Sequence, residues 1–69
     1  MIWVLAGTGD SFRLIDKLIK YNINIIASVV TDYGKKKLKN KNIKIIKKKL
    51  KLNDMKELIE KHDVELIID

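Results

Sequence analysis

Two short segments of this chain carry residue types able to hold a phosphorylated ligand. The first, Gly7-Thr8-Gly9-Asp10-Ser11, follows the apolar run Ile2-Trp3-Val4-Leu5-Ala6 without interruption. Glycines at such a point let the backbone turn tightly and let a ligand come close. The helix that follows then points its free N–H groups and positive dipole end at whatever sits above the turn. The second segment, Ser28-Val29-Val30-Thr31-Asp32-Tyr33-Gly34, closes another apolar run about 20 residues further on.

In a dinucleotide fold that second position faces the adenosine ribose. An acidic group there bonds the ribose hydroxyls, a role open to Asp32, while hydroxyls and cations admit a 2′-phosphate, a role open to Thr31, Tyr33 and Lys35 or Lys36. This set favours NADPH over NADH. A full dinucleotide fingerprint would have a third glycine at position 12, where this chain has Phe12, so a simple tight connection remains the alternative for the first segment. A plain capped loop remains the alternative for the second. No Gly-Lys-Ser/Thr is present, which excludes a Walker-type loop.

These segments need rigid elements behind them, and the chain supplies a regular alternation of the kind that builds a parallel sheet with crossover helices. Strands are expected over residues 2–6, 25–30, 43–46 and 64–68. Asp10 or Ser11 caps a first helix whose Leu14, Ile15, Leu18 and Ile19 recur at helical spacing, with Arg13, Asp16, Lys17 and Lys20 outside. Thr31-Asp32-Tyr33-Gly34 reads as the exit loop of the second strand, followed by a short helical turn over 35–39. Asn53 or Asp54 caps a last helix with Met55, Leu58 and Ile59 inward. Trp3 belongs to the core, and His62, the single histidine, lies near a helix end facing solvent or the dipole. Asp69 ends a strand at the ligand edge of the sheet.

The formal charge of +6 comes from lysines crowded between positions 35 and 51. Arg13 is the lone arginine, and the aromatic residues do not interleave with the basic run as a stacking platform for nucleic acid requires. The run therefore reads as a solvated face, with a small basic module that binds RNA or another polyanion kept as an alternative. Cysteine is absent, which excludes disulfides and thiolate metal sites. No apolar run approaches the roughly 18 residues of a membrane span, and no signal peptide is evident. The expectation is a soluble protein of the cytoplasm with no membrane partner. Sixty-nine residues is short for a parallel α/β domain, so the chain is expected to be the N-terminal piece of a longer protein.

The segments Ile2 to Ser11 and Ala27 to Gly34, with the closing Leu66-Ile67-Ile68-Asp69, resemble the N-terminal part of precorrin-6A reductases, including the cobalt-precorrin-6A enzymes of the anaerobic cobalamin pathway. The resemblance runs through essentially the whole chain but only the first part of a typical member. It implies a Rossmann-like parallel sheet with flanking helices, here incomplete and spanning residues 1–69. It also implies a second domain that is absent, and a reductase that uses NADPH to reduce one double bond of a corrin-precursor macrocycle. Gly7, Thr8, Gly9, Asp10 and Ser11 would form the first loop at the active edge, and Ser28, Thr31, Tyr33 and Gly34 the second. Members commonly have glycine where this chain has Ala6, and often glutamate where it has Asp32. They continue beyond the final aspartate with an Ala-Thr-His-Pro-Phe-type segment, so the chain alone is not expected to be a competent enzyme. Another NAD(P)-binding oxidoreductase half-domain is the nearest competing reading.

Overall fold

In the computed structural model, which describes residues 1–69, strands and helices alternate from end to end. They are β1 (Ile2–Leu5), α1 (Gly9–Lys20), β2 (Ile25–Val29), α2 (Asp32–Leu38), β3 (Lys44–Lys47), α3 (Leu52–Lys61) and β4 (Leu66–Ile68). All strands are parallel, in the order β3-β2-β1-β4. The chain builds outward from β1 to β3, then α3 carries it back so that β4 pairs with the other side of β1. The strand order therefore reverses between β1 and β4, the place where open α/β sheets form a crevice at their carboxyl edge.

Side-chain alternation divides the core between the two faces of the sheet. Val4, Ile25, Ala27 and Val29 pack with Ile15 of α1 and Leu38 of α2, whereas Trp3 and Ile26 point to the opposite face and meet Leu58 of α3. Burying each of the larger apolar chains is worth about 1.5–3 kcal/mol. β2 is buried along its whole length, as an inner strand covered on both faces must be. Of the two sheet edges, β3 exposes Lys44 and Lys47, while β4 exposes Leu66 and Ile67.

Helix boundaries differ from the sequence expectation in an instructive way. α1 is capped by Thr8, not by Asp10 or Ser11; the Thr8 hydroxyl accepts from the Ser11 N–H at 3.2 Å. Thr31 likewise caps α2, accepting from the Gly34 N–H at 3.1 Å, so Asp32, Tyr33 and Gly34 form the first turn of a helix and not an exit loop. α3 starts after Lys51, and Asp54, expected as a possible cap, instead sits inside the first turn and accepts from the Lys51 N–H at 2.9 Å. β3 lies one residue later than expected, and β4 begins only at Leu66. The missing start of β4 is taken up in closing α3. Asp63 adopts a left-handed conformation (φ 52°), and the Val64 N–H reaches back to the Ile59 carbonyl at 3.1 Å. Asn22 (φ 57°) ends α1 the same way, with Ile23 N–H donating to Leu18. Asn and Asp tolerate this geometry better than other side chains, which explains two such closures without glycine.

A candidate nucleotide site at the carboxyl edge of the sheet

The β1–α1 turn is knitted together by one hydroxyl. Ser11 Oγ accepts from the N–H groups of both Gly7 and Thr8 at 3.1 Å and donates to the Thr8 carbonyl at 2.7 Å. Together with the Thr8 cap this leaves the N–H groups of Gly9 and Asp10, at the start of α1, without an intrahelical acceptor and available to a ligand or solvent. Neither glycine has a positive φ, so the turn itself does not demand glycine. A Cβ added at Gly7 or Gly9 would meet no atom within 4 Å. What these glycines leave is open space beside a helix N-terminus.

Three clefts border the turn: Gly7 lines the first and the third, Gly9 the third, and Thr8 the first and the second. A cleft of about 410 Å³ lies over the ends of β1, β2 and β3 and is lined by Gly7, Thr8, Val30, Lys49, Leu50 and Asp69, with Ser28 and Lys48 also at its wall. A second, of about 460 Å³, opens at the strand-order reversal between β1 and β4 and brings together Thr8, Asp10, Ser11 and Asp69. A third, of about 490 Å³, lies between α1 and α2 and joins Gly7, Gly9, Arg13, Tyr33 and Lys37. The charge is uneven: the first cleft has Lys48 and Lys49 at its β3 end and Asp69 at its β4 end, and the second has Asp10 and Asp69 with no cation.

The residues of the second segment part company. Ser28 is buried, and its Oγ accepts from the Trp3 indole N–H at 2.8 Å, tying β2 to β1 directly beneath the first cleft. Thr31 is occupied as a cap. Gly34 is buried against β2, where an added Cβ would lie 3.0 Å from Val29. Tyr33 is exposed, with the Lys37 ammonium 5.6 Å from its ring centroid. Asp32 is exposed and pairs with Lys47 at 2.6 Å. The hydrogen bond and charge of Lys47, with a further contribution from Lys35, hold its carboxyl below the usual range. Lys35 and Lys36 lie on the exposed side of α2 and border none of the three clefts. The structure thus gathers Gly7, Thr8, Gly9, Asp10, Ser11, Ser28 and Tyr33 around the clefts and leaves Thr31, Asp32, Gly34, Lys35 and Lys36 outside them.

In exchange it brings in the β3–α3 loop, which the sequence reading treated as solvated lysines. Lys48 pairs with Asp54 at 3.1 Å. Asp54, bonded first to the Lys51 N–H and then to Lys48, is also held below the ordinary carboxylate range. One carboxylate therefore pins both ends of the loop and leaves Lys49 between them without a carboxylate partner. The available signal was position: in a parallel sheet every loop that follows a strand reaches the ligand edge, including the one after β3. His62 closes α3 and lines none of these three clefts, and burial, then Lys44 and Lys61, lower its pKa. No group of three or more His, Cys, Asp or Glu is placed to hold a metal ion, and no helix is long and apolar enough to cross a membrane.

Fold and cleft together define a Rossmann-like α/β unit with an open carboxyl edge built around a glycine turn. The chain belongs to the precorrin-6x reductase family CbiJ/CobK, whose profile matches residues 1–69. It is 35% identical over 69 residues to the cobalt-precorrin-6A reductase of Priestia megaterium, an alignment that covers 100% of this chain and 27% of that protein. The chain thus spans about 27% of the length of the curated relative it matches. No solved structure matches it.

Proposed function

We propose that this chain is the N-terminal nucleotide-binding portion of an NADPH-dependent reductase that acts on precorrin-6A or cobalt-precorrin-6A in cobalamin biosynthesis. The observation that carries the reading is the pair Gly7 and Gly9, whose missing side chains leave open space next to the N-terminus of α1, in a chain of a reductase family. Open space beside a helix N-terminus of this kind supports a dinucleotide. The N–H groups of Gly9 and Asp10 and the dipole of α1 would hold its pyrophosphate, and the ends of β2 and β3 on one side and of β4 on the other would hold its two halves.

When bound, NADPH supplies the hydride for one carbon of the macrocycle double bond, and a proton completes the other. The chain's own residues bind and orient. Thr8 and Ser11 hold the turn in shape, and Ser28 with Trp3 keeps β1 and β2 in register beneath it. Asp69 gives the β4 side hydrogen-bond acceptors suited to ribose hydroxyls or a carboxamide N–H, while the Asp10 carboxylate is paired with Arg13. The sequence reading assigns the 2′-phosphate to Thr31, Tyr33 and Lys35 or Lys36, and the ribose hydroxyls to Asp32. A polycarboxylate tetrapyrrole is a substrate whose approach an excess of lysine favours.

Calorimetric titration of the protein with NADPH and NADH tests the reading, together with loss of NADPH absorbance when the complete gene product meets a precorrin-6A-type macrocycle. Saturable binding with NADPH preferred, and macrocycle-dependent oxidation, are expected. No binding of either dinucleotide sinks it.

A further inference from the structure

The lysines that the sequence offers for a 2′-phosphate, Lys35 and Lys36, are not those that the fold brings to the clefts. Lys35 and Lys36 border none of the clefts, whereas Lys49 lines the first cleft together with Gly7, Thr8 and Val30. Among the cations that reach the three clefts, Arg13 is paired with Asp10, Lys41 with Asp16 and Lys48 with Asp54. Lys37 lies over the Tyr33 ring. Lys49 alone has neither a carboxylate nor an aromatic partner, and Asp54 bonds the Lys48 ammonium before it and the Lys51 N–H after it. β3 stands two strand spacings, roughly 10 Å, from β1, a separation suited to the far side of a ribose held at the glycine turn. Apolar Val30 and Leu50 flank it in the same cleft, and the one carboxylate there, Asp69, is at the opposite, β4 end.

We propose that Lys49, and not Lys35 or Lys36, is the specificity-determining residue that receives the 2′-phosphate of the adenosine ribose. Val30 and Leu50 form the apolar shelf for the adenine. The proposal rests on the dinucleotide reading above and adds to it a residue and an orientation.

The test is calorimetric titration with NADPH, NADH, adenosine 2′,5′-bisphosphate and AMP of the parent protein and of the variants Lys49→Ala, Lys49→Arg, Lys37→Ala and Lys35→Ala/Lys36→Ala. Loss of a charge-assisted phosphate contact is expected to weaken NADPH and the bisphosphate about ten- to a hundredfold in Lys49→Ala. NADH and AMP should stay within about twofold, a difference that separates loss of a phosphate contact from general damage to the cleft. Lys49→Arg should retain the preference. The side chain is exposed, so the unfolding transition should not move. An unchanged NADPH-to-NADH ratio in Lys49→Ala overturns the proposal alone, as does loss of the preference in the Lys37 or the Lys35/Lys36 variant instead. Failure of the parent to bind any of the four overturns the dinucleotide reading as well.

Discussion

The β1–α1 and β2–α2 turns are alike at their capping threonines and opposites in use. Each begins with a threonine in extended conformation, φ −118° and ψ 162° at Thr8, φ −123° and ψ 155° at Thr31. In each the hydroxyl accepts from the N–H three residues on. The glycines differ. Gly7 and Gly9 are exposed and face no atom, whereas Gly34 is buried with Val29 at 3.0 Å from where a Cβ would stand. The same residue type therefore makes room for a ligand in one turn and for a neighbouring strand in the other. The packing role that a dinucleotide fingerprint gives to its third glycine, absent at Phe12, is here played by Gly34 in the next unit.

The largest expected effect comes from exchanging these roles. Gly34→Val should overpack the α2–β2 contact and cost about 1–3 kcal/mol, measured as a lower denaturant midpoint. Gly9→Val should instead leave helix content nearly unchanged while weakening NADPH at least about tenfold, or 1.4 kcal/mol, by calorimetry. If Gly9→Val binds normally, or Gly34→Val unfolds no sooner than the parent, the contrast between the turns collapses.

Next in size is the tie beneath both turns. Ser28→Ala removes the acceptor of the buried Trp3 indole and should destabilise by about 1–3 kcal/mol, with a change in Trp3 fluorescence. An unchanged midpoint would mean that the two strands hold register without this bond.

The caps test the likeness of the turns. Thr8→Ala and Thr31→Ala should each cost about 1 kcal/mol, and a large inequality between them would break the structural equivalence. Thr8→Ala should in addition weaken NADPH, because its hydroxyl shapes the loop that cradles the pyrophosphate.

The smallest effect is electrostatic. Lys47 depresses the Asp32 pKa in the folded state, so the carboxylate stabilises fully above the unfolded value of about 3.9 and this contribution is lost as pH falls through the folded pKa. Urea titrations at a series of pH values should show Asp32→Asn differing from the parent near neutrality and converging with it in acid. Both groups are exposed, so the difference is small and shrinks with salt. A variant that stays equally different in acid would show that Asp32 acts by packing and not by charge.

Much of this was legible in the residues. The alternation of apolar runs and 3.6-residue periodicity sufficed for the parallel α/β class, for Ile15 and Leu58 as inward positions and for Trp3 in the core. The caps were ambiguous because Thr8, Asp10 and Ser11 are all capping types within one turn, and local preference does not choose among them. Asp54 illustrates the same limit: a good cap residue by type, it was taken up inside the first turn by the Lys51 N–H and the Lys48 ammonium.

Local sequence thus determined the alternating order of strands and helices, though not their ends, and that a glycine turn joins the first pair, since these depend on side-chain period and backbone freedom within a few residues. Which lysine reaches the cleft, which glycine is packed and which is open, and which hydroxyl is spent on an indole were decided only when β3 and β4 took places on either side of β2 and β1. Those outcomes depend on distances between residues far apart in the chain, such as Trp3 and Ser28, and these are set by strand order and register, not by any local preference.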